Sequence, residues 1–254
     1  MAVIRTAVNF PVRHLAVLRW ALVLGAILML LPSAEAARAP VVVVDAGHDL
    51  RGNPATEPIG PGSSTRKIKD GGGTRGVVSG LTEAELNMRV ATRLRALLER
   101  AGVRVVMTRT RTSGTSMGNI ARARIANRAQ AGLFLRIHAD GSTDPSVRGS
   151  HTLYPALREG WTDDVHEASK RAAKMVQADM VRALGFPHRG LQERSDFTGF
   201  NWADVPVILV EMGFMTNRMD DGLLATAAYQ QRAAVGLCRG ALRFLGRRTT
   251  PCAR

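Results

Sequence analysis

The chain is poor in aromatic residues: Phe, Trp and Tyr together make 5% of its 254 residues, and no stacking motif groups them. That argues against nucleic-acid binding, although the chain carries 35 Lys and Arg against 21 Asp and Glu. It holds two cysteines, Cys238 and Cys252, too few for a disulfide scaffold. Cys238 falls in a helical pattern and reads most simply as a small core residue, with a bond to Cys252 as the alternative. No internal repeat and no second domain is visible. Gly71-Gly72-Gly73 lacks the spacing and the Lys-Ser/Thr of a phosphate-binding loop, so it reads as a flexible segment. Neither His48 nor His138 lies in an H-E-x-x-H helix.

Long apolar runs are also scarce. The longest, Trp20–Leu31, has 12 residues, short of the ~20 that a membrane span needs. Arg5, Arg13 and Arg19 precede it and Ala34-Glu35-Ala36 follows, so residues 1–36 read as a secretory signal peptide, with an uncleaved anchor as the alternative. Export places the chain in the periplasm, the cell wall or outside the cell, with no stable membrane span after cleavage. The formal charge is +14, and the leader's three Arg and one Glu account for +2 of it. The basic remainder favours polyanions, here anionic envelope polymers, or is plain arginine-rich composition. A monomer is expected.

What is present is a set of strand and helix signals in alternation. Val41–Val44, Val103–Met107, Leu133–Ile137 and Val205–Val210 are apolar, β-branched runs of the kind that parallel strands buried on both faces produce. Gly149–Tyr154 reads as an edge-like strand. Thr82–Ala101 opens with a capping box, Thr82 with Glu85, and keeps helical spacing through Leu86, Val90, Leu94, Leu97 and Leu98. Further helices are expected over Gly118–Ala131, with Ile120, Ala123, Ile125 and Ala126 inward, over Thr162–Leu184, and from about Asp221 to Leu245. Asp49–Gly80 and Gly185–Asp204 read as irregular. The pattern predicts a single α/β domain over 37–246, a largely parallel twisted sheet flanked by helices on both faces, and a loose polar tail over 247–254.

Three of the apolar runs end on ionisable residues. One delivers His48, one delivers His138, and one stops on Glu211. In open α/β sheets ligands bind just beyond the carboxyl ends of the strands. With Glu83 at the helix start, the two histidines form a His₂Glu set that suits a single catalytic Zn²⁺ with one position left for water. Glu211 then serves as general base in amide hydrolysis.

These residues resemble the zinc-dependent N-acetylmuramoyl-L-alanine amidases of the amidase-3 type over nearly all of the chain after the leader. The matching stretches are Val42–His48, Glu83–Ala91, Gly102–Arg109, Arg124–Asn127, Ile137–Asp140, and Leu209–Phe214 followed by Asn217. The resemblance implies His48, Glu83 and His138 as zinc ligands, Glu85 as the fallback for Glu83, and Glu211 as the catalytic residue. It implies peptidoglycan as substrate, cleaved between the lactyl group of N-acetylmuramic acid and L-alanine of the stem. Arg136 and Asp140 depart from the residues usual in that family, serine and asparagine. Between His138 and Thr162 the chain has no room for the long inserted helix that plugs the site in some members, so an ungated site is expected. Arg189, Arg194 and Asn201 are candidate contacts for stem carboxylates, with solvated loop as the alternative. Two rivals stay open: a metal-independent glycan hydrolase using Glu83 with Glu211 or Asp45, and a non-catalytic peptidoglycan-binding module.

Overall fold

Apolar runs that are buried on both faces have to lie side by side in the middle of a sheet. In the computed structural model, which describes Ala2 and residues 39–253, three of them do. β1 (Val41–Ala46), β5 (Leu133–Asp140) and β8 (Val207–Phe214) are consecutive parallel strands. The signal peptide expected over 1–36 lies outside the described residues, Ala2 apart. Parallel β4 (Arg104–Met107) closes one edge. At the other side come β6 (Ser150–Pro155), antiparallel to β8, and β7 (His188–Arg194), parallel to β6. The six-stranded order is β4-β1-β5-β8-β6-β7.

Crossover helices cover both faces, as an α/β fold requires. α1 (Glu83–Arg100), α3 (His166–Leu184) and α6 (Ala227–Phe244) pack over one face, burying Val42, Val44, Leu135, Ile137, Ile208 and Val210. α2 (Asn119–Arg128) and the short α4 (Thr198–Asn201) cover the other, over Val43, Phe134 and Val207. α1 opens with the expected capping box: Thr82 accepts from the Glu85 N–H while the Glu85 carboxylate accepts from Thr82.

Several expectations are corrected. The Ser150–Pro155 strand is internal, because β7 forms in the stretch read as irregular and takes the edge itself. The Asp49–Gly80 segment contains a hairpin, β2 (Asn53–Pro58) with β3 (Arg66–Asp70). Ala123 and Ala126 are buried as expected and Ile125 packs half-buried against the same cluster, but Arg122 is buried with them as well, because its guanidinium has buried acceptors to meet. The closing helix is two, α5 (Arg218–Leu224) and α6, divided where Thr226 caps the second. The tail is not loose: Thr250–Ala253 forms a 3₁₀ turn, and Cys252 is buried in a disulfide to Cys238 of α6, so Cys238 is not a free core thiol. Among the described residues, Ser142–Val165 holds no inserted helix and no helix is long and apolar enough to cross a membrane.

Candidate metal centre

The centre begins where β1 runs out. Gly47 passes so close to β5 that a Cβ there would stand 2.2 Å from the His138 ring, so only glycine fits. The next residue, His48, turns through a left-handed φ of 57°, a conformation costly for a side-chain-bearing residue and concentrated at functional sites. Arg109 fixes this turn, donating to the carbonyls of Ala46, Gly47 and Ala84. It thereby ties the end of β1 to the first turn of α1.

Glu83 is the first residue of α1 and is only 3% exposed. Its Oε1 lies 3.0 Å from His138 Nδ1 and 3.3 Å from His48 Nε2, and accepts from Ala139 N–H. Its Oε2 accepts from Thr74 N–H at 2.9 Å. Glu85, the fallback, is spent on the Thr82 cap, so the helix start assigns one acid to the centre and one to itself. Ligand atoms of His48, Glu83 and His138 all lie within 4.8 Å of one another.

The electrostatics suit a cation. Burial works against charge on His48, but Glu83 and Asp70 overcome it and push its pKa up to about 10. Burial would likewise raise Glu83, but the His48 and His138 partners hold it well below the usual carboxylate range. His138 is pushed down, first by burial. His138 Nε2 and Glu211 Oε2 are buried with no hydrogen-bond partner among the described residues. Two imidazoles and a buried carboxylate, with polar atoms left unsatisfied beside them, fit a divalent ion of the zinc type with an open position.

Glu211 stands on β8 directly across from His138 of β5 and from His151 of β6, so the three share one row across the sheet. Its pKa is raised well above the usual range by burial, then by the negative charges of Glu83 and Asp140. The cavity in front of these groups, about 260 Å³, is also lined by Asp70, Lys67, Lys69 and Arg136. Asp45 is unavailable for chemistry, being fully buried between Arg122 and Arg136 with a third bond from Thr108. A paired-carboxylate glycan hydrolase built on Glu83 and Glu211 would leave His48 and His138, both held against Glu83, without a role.

Arg189 and Arg194 lie on β7 beside the centre, and their charges help push the His151 pKa down to about 4, after burial. Arg194 also grips Asp196 through two bonds of 2.9 and 3.0 Å. Asn201 is not with them. It is 1% exposed, and its amide braces the carbonyls of Ile59 and Ser195. Asp70 and His151 are the residues that the sequence did not single out. Asp70 Oδ1 lies 2.7 Å from His48 Nδ1, in the position of the carboxylate that commonly orients a metal-binding imidazole. It comes from the unforeseen hairpin, so nothing in its local pattern marked it.

The sequence profile described as N-acetylmuramoyl-L-alanine amidase matches residues 42–243. The chain is 31% identical over 214 residues to N-acetylmuramoyl-L-alanine amidase Rv3717 of Mycobacterium tuberculosis, covering 81% of this chain and 86% of that protein. It is 32% identical over 168 residues to N-acetylmuramoyl-L-alanine amidase LytC of Bacillus subtilis, covering 65% of this chain but only 32% of that longer protein. Among solved structures it resembles the N-acetylmuramyl-L-alanine amidase Ami1 of Mycobacterium smegmatis, with a TM-score of 0.74 and 30% identity over 82% of this chain and 98% of that one.

Proposed function

The chain belongs to the N-acetylmuramoyl-L-alanine amidase family and is a peptidoglycan amidase, and from that premise we propose that it is an exported, zinc-dependent enzyme using Glu211 as its proton carrier. The observation that carries this reading is the His48–Glu83–His138 cluster facing Glu211 from the neighbouring strand end.

A zinc ion held by His48, Glu83 and His138 would supply Lewis acidity toward a scissile carbonyl and toward the attacking water. Glu83 and Asp70 hold the two imidazoles in place from opposite sides of His48. Glu211 takes a proton from the water and returns it to the nitrogen of the leaving L-alanine. Its raised pKa suits this work, since a carboxylate nearer neutrality is the stronger base. Arg189 and Arg194 are proposed to receive carboxylates of the peptide stem, and Asn201 to brace the loop beneath them. The basic leader, apolar run and A-x-A pattern over residues 1–36 support delivery to the periplasm or wall.

The test is incubation of the protein with purified muropeptides, with and without a chelator, read by mass spectrometry. Free stem peptide that disappears with chelator and returns with Zn²⁺ is the expected result. Sugar fragments, or cleavage indifferent to chelation, would reject the zinc amidase.

A further inference from the structure

The β2–β3 hairpin has two sides. One walls the metal centre. Behind the other, between the hairpin, α2 and Trp202, runs a groove of about 670 Å³, larger than the catalytic cavity and within the range of ligand sites. Its rim carries four cations: Arg66, Lys69, Arg124 and Arg128. Its one acid, Glu57, is 4% exposed and already spent, with its oxygens accepting from the backbone N–H groups of Asn119 and Ile120 at the start of α2. Neither Arg124, which lies 5.8 Å over the Trp202 ring, nor Arg128, nor Lys69 forms an ion pair among the described residues. A floor that is partly apolar, with Pro58, Ile120 and Ile125, lies beneath these charges. Lys69 lines this groove and the catalytic cavity alike.

The geometry points to a second, non-catalytic peptidoglycan site. The groove holds the glycan-peptide unit next to the one being cut, with stem carboxylates against Arg66, Lys69, Arg124 and Arg128, and less polar sugar and peptide surface on the floor. This rests on the amidase reading above. Two features select the occupant. The unpaired positive rim calls for an anionic partner. Lys69 borders both the groove and the catalytic cavity, so the two lie on either side of one hairpin strand and a single polymer is long enough to engage both. The groove would therefore favour polymeric wall over free muropeptide by holding two units at once.

The full-length chain with Arg124→Glu and Arg128→Glu tests this, because both side chains are exposed on a helix and the reversals leave the core intact. Binding is scored by co-sedimentation with insoluble peptidoglycan stripped of phosphate polymers, using a Glu211→Gln background so that the substrate survives. The expected result is a roughly three- to tenfold loss of binding for the double variant, the scale of two exposed ion pairs. In the active background, cleavage of a soluble muropeptide should be unchanged. Peptidoglycan whose carboxylates have been amidated should bind both proteins equally weakly. Unchanged sedimentation of the double variant overturns the inference. So does an equal loss on amidated polymer, or binding that appears only while phosphate polymers remain attached. Failure of the active enzyme to cut the soluble muropeptide with zinc present overturns the amidase reading instead, while sedimentation still decides the groove.

Discussion

The two faces of the central sheet are made by the same strands and end differently. On the face under α1, α3 and α6, side chains stay apolar to the top: Val42, Val44 and Ala46 on β1, Leu135, Ile137 and Ala139 on β5, Ile208, Val210 and Met212 on β8. On the opposite face the lower positions match them, with Val43, Phe134, Val207 and Leu209. Above these the alternate positions turn to Asp45, Arg136, His138 and Glu211. The helices explain the difference. Long helices cover the first face, whereas above α2 and the single turn of α4 the second face meets the β2–β3 hairpin across a cavity lined by His48, Arg136, His138 and Glu211. Because neighbours along a strand point to opposite faces, one strand anchors the core with every second residue and equips the site with those between.

Substitutions can break this contrast one face at a time. Glu211→Gln, at the top of the open face, should lower kcat by roughly a hundred- to ten-thousandfold. Zinc content by atomic absorption and the far-ultraviolet spectrum should stay unchanged. Asp45→Ala, at the level where the face changes character, leaves Arg122 and Arg136 buried without their shared anion and should cost about 3–5 kcal/mol in urea unfolding.

The same residue sets an acid limb. Burial alone would raise the Asp45 pKa, but Arg122 and Arg136 hold it far below its ordinary 3.8. A group depressed in the folded state contributes its stability above its unfolded pKa and loses it as the pH falls. The Asp45 contribution is therefore present above about pH 4 and declines below 3.8, and an Asp45→Asn variant should show a flatter stability profile there. Leu135→Ala, on the covered face, should remove about 2–5 kcal/mol of stability while kcat per folded molecule is preserved. Asp70→Asn removes the negative charge beside His48 while keeping an acceptor oxygen for the Gly72 N–H. The expected effect is a roughly 10- to 100-fold weaker zinc affinity, measured by competition with a chromophoric chelator.

The covered face was the legible one. Its strands are uninterrupted apolar runs, and its first helix announces itself through Thr82 and Glu85, which also leaves Glu83 free for the histidines. The strand ends of the open face were legible because three runs stop on His48, His138 and Glu211. The surrounding walls were not. β3 reads Arg66-Lys67-Ile68-Lys69-Asp70, a hairpin strand with no buried side chain and hence no apolar alternation to detect. β7 reads His188-Arg189-Gly190-Leu191-Gln192-Glu193-Arg194, an edge strand with the same deficit. Asp70 and two of the four rim cations of the rear groove, Arg66 and Lys69, ride on such a segment, held by pairing that no local pattern encodes. Arg122 is a parallel case, a buried charge whose acceptors at Asp45, Ala46, His48 and Ser116 are gathered only by the fold.

The Cys238–Cys252 bond makes the molecule's stability a function of the redox state of its surroundings. It closes a 14-residue separation and anchors the last turn against α6, which by loop entropy contributes about 3 kcal/mol. Domains of this kind hold only about 5–15 kcal/mol in total. A reducing solution therefore leaves a chain with the same sheet and the same centre but a thinner margin against unfolding. An oxidising one completes it.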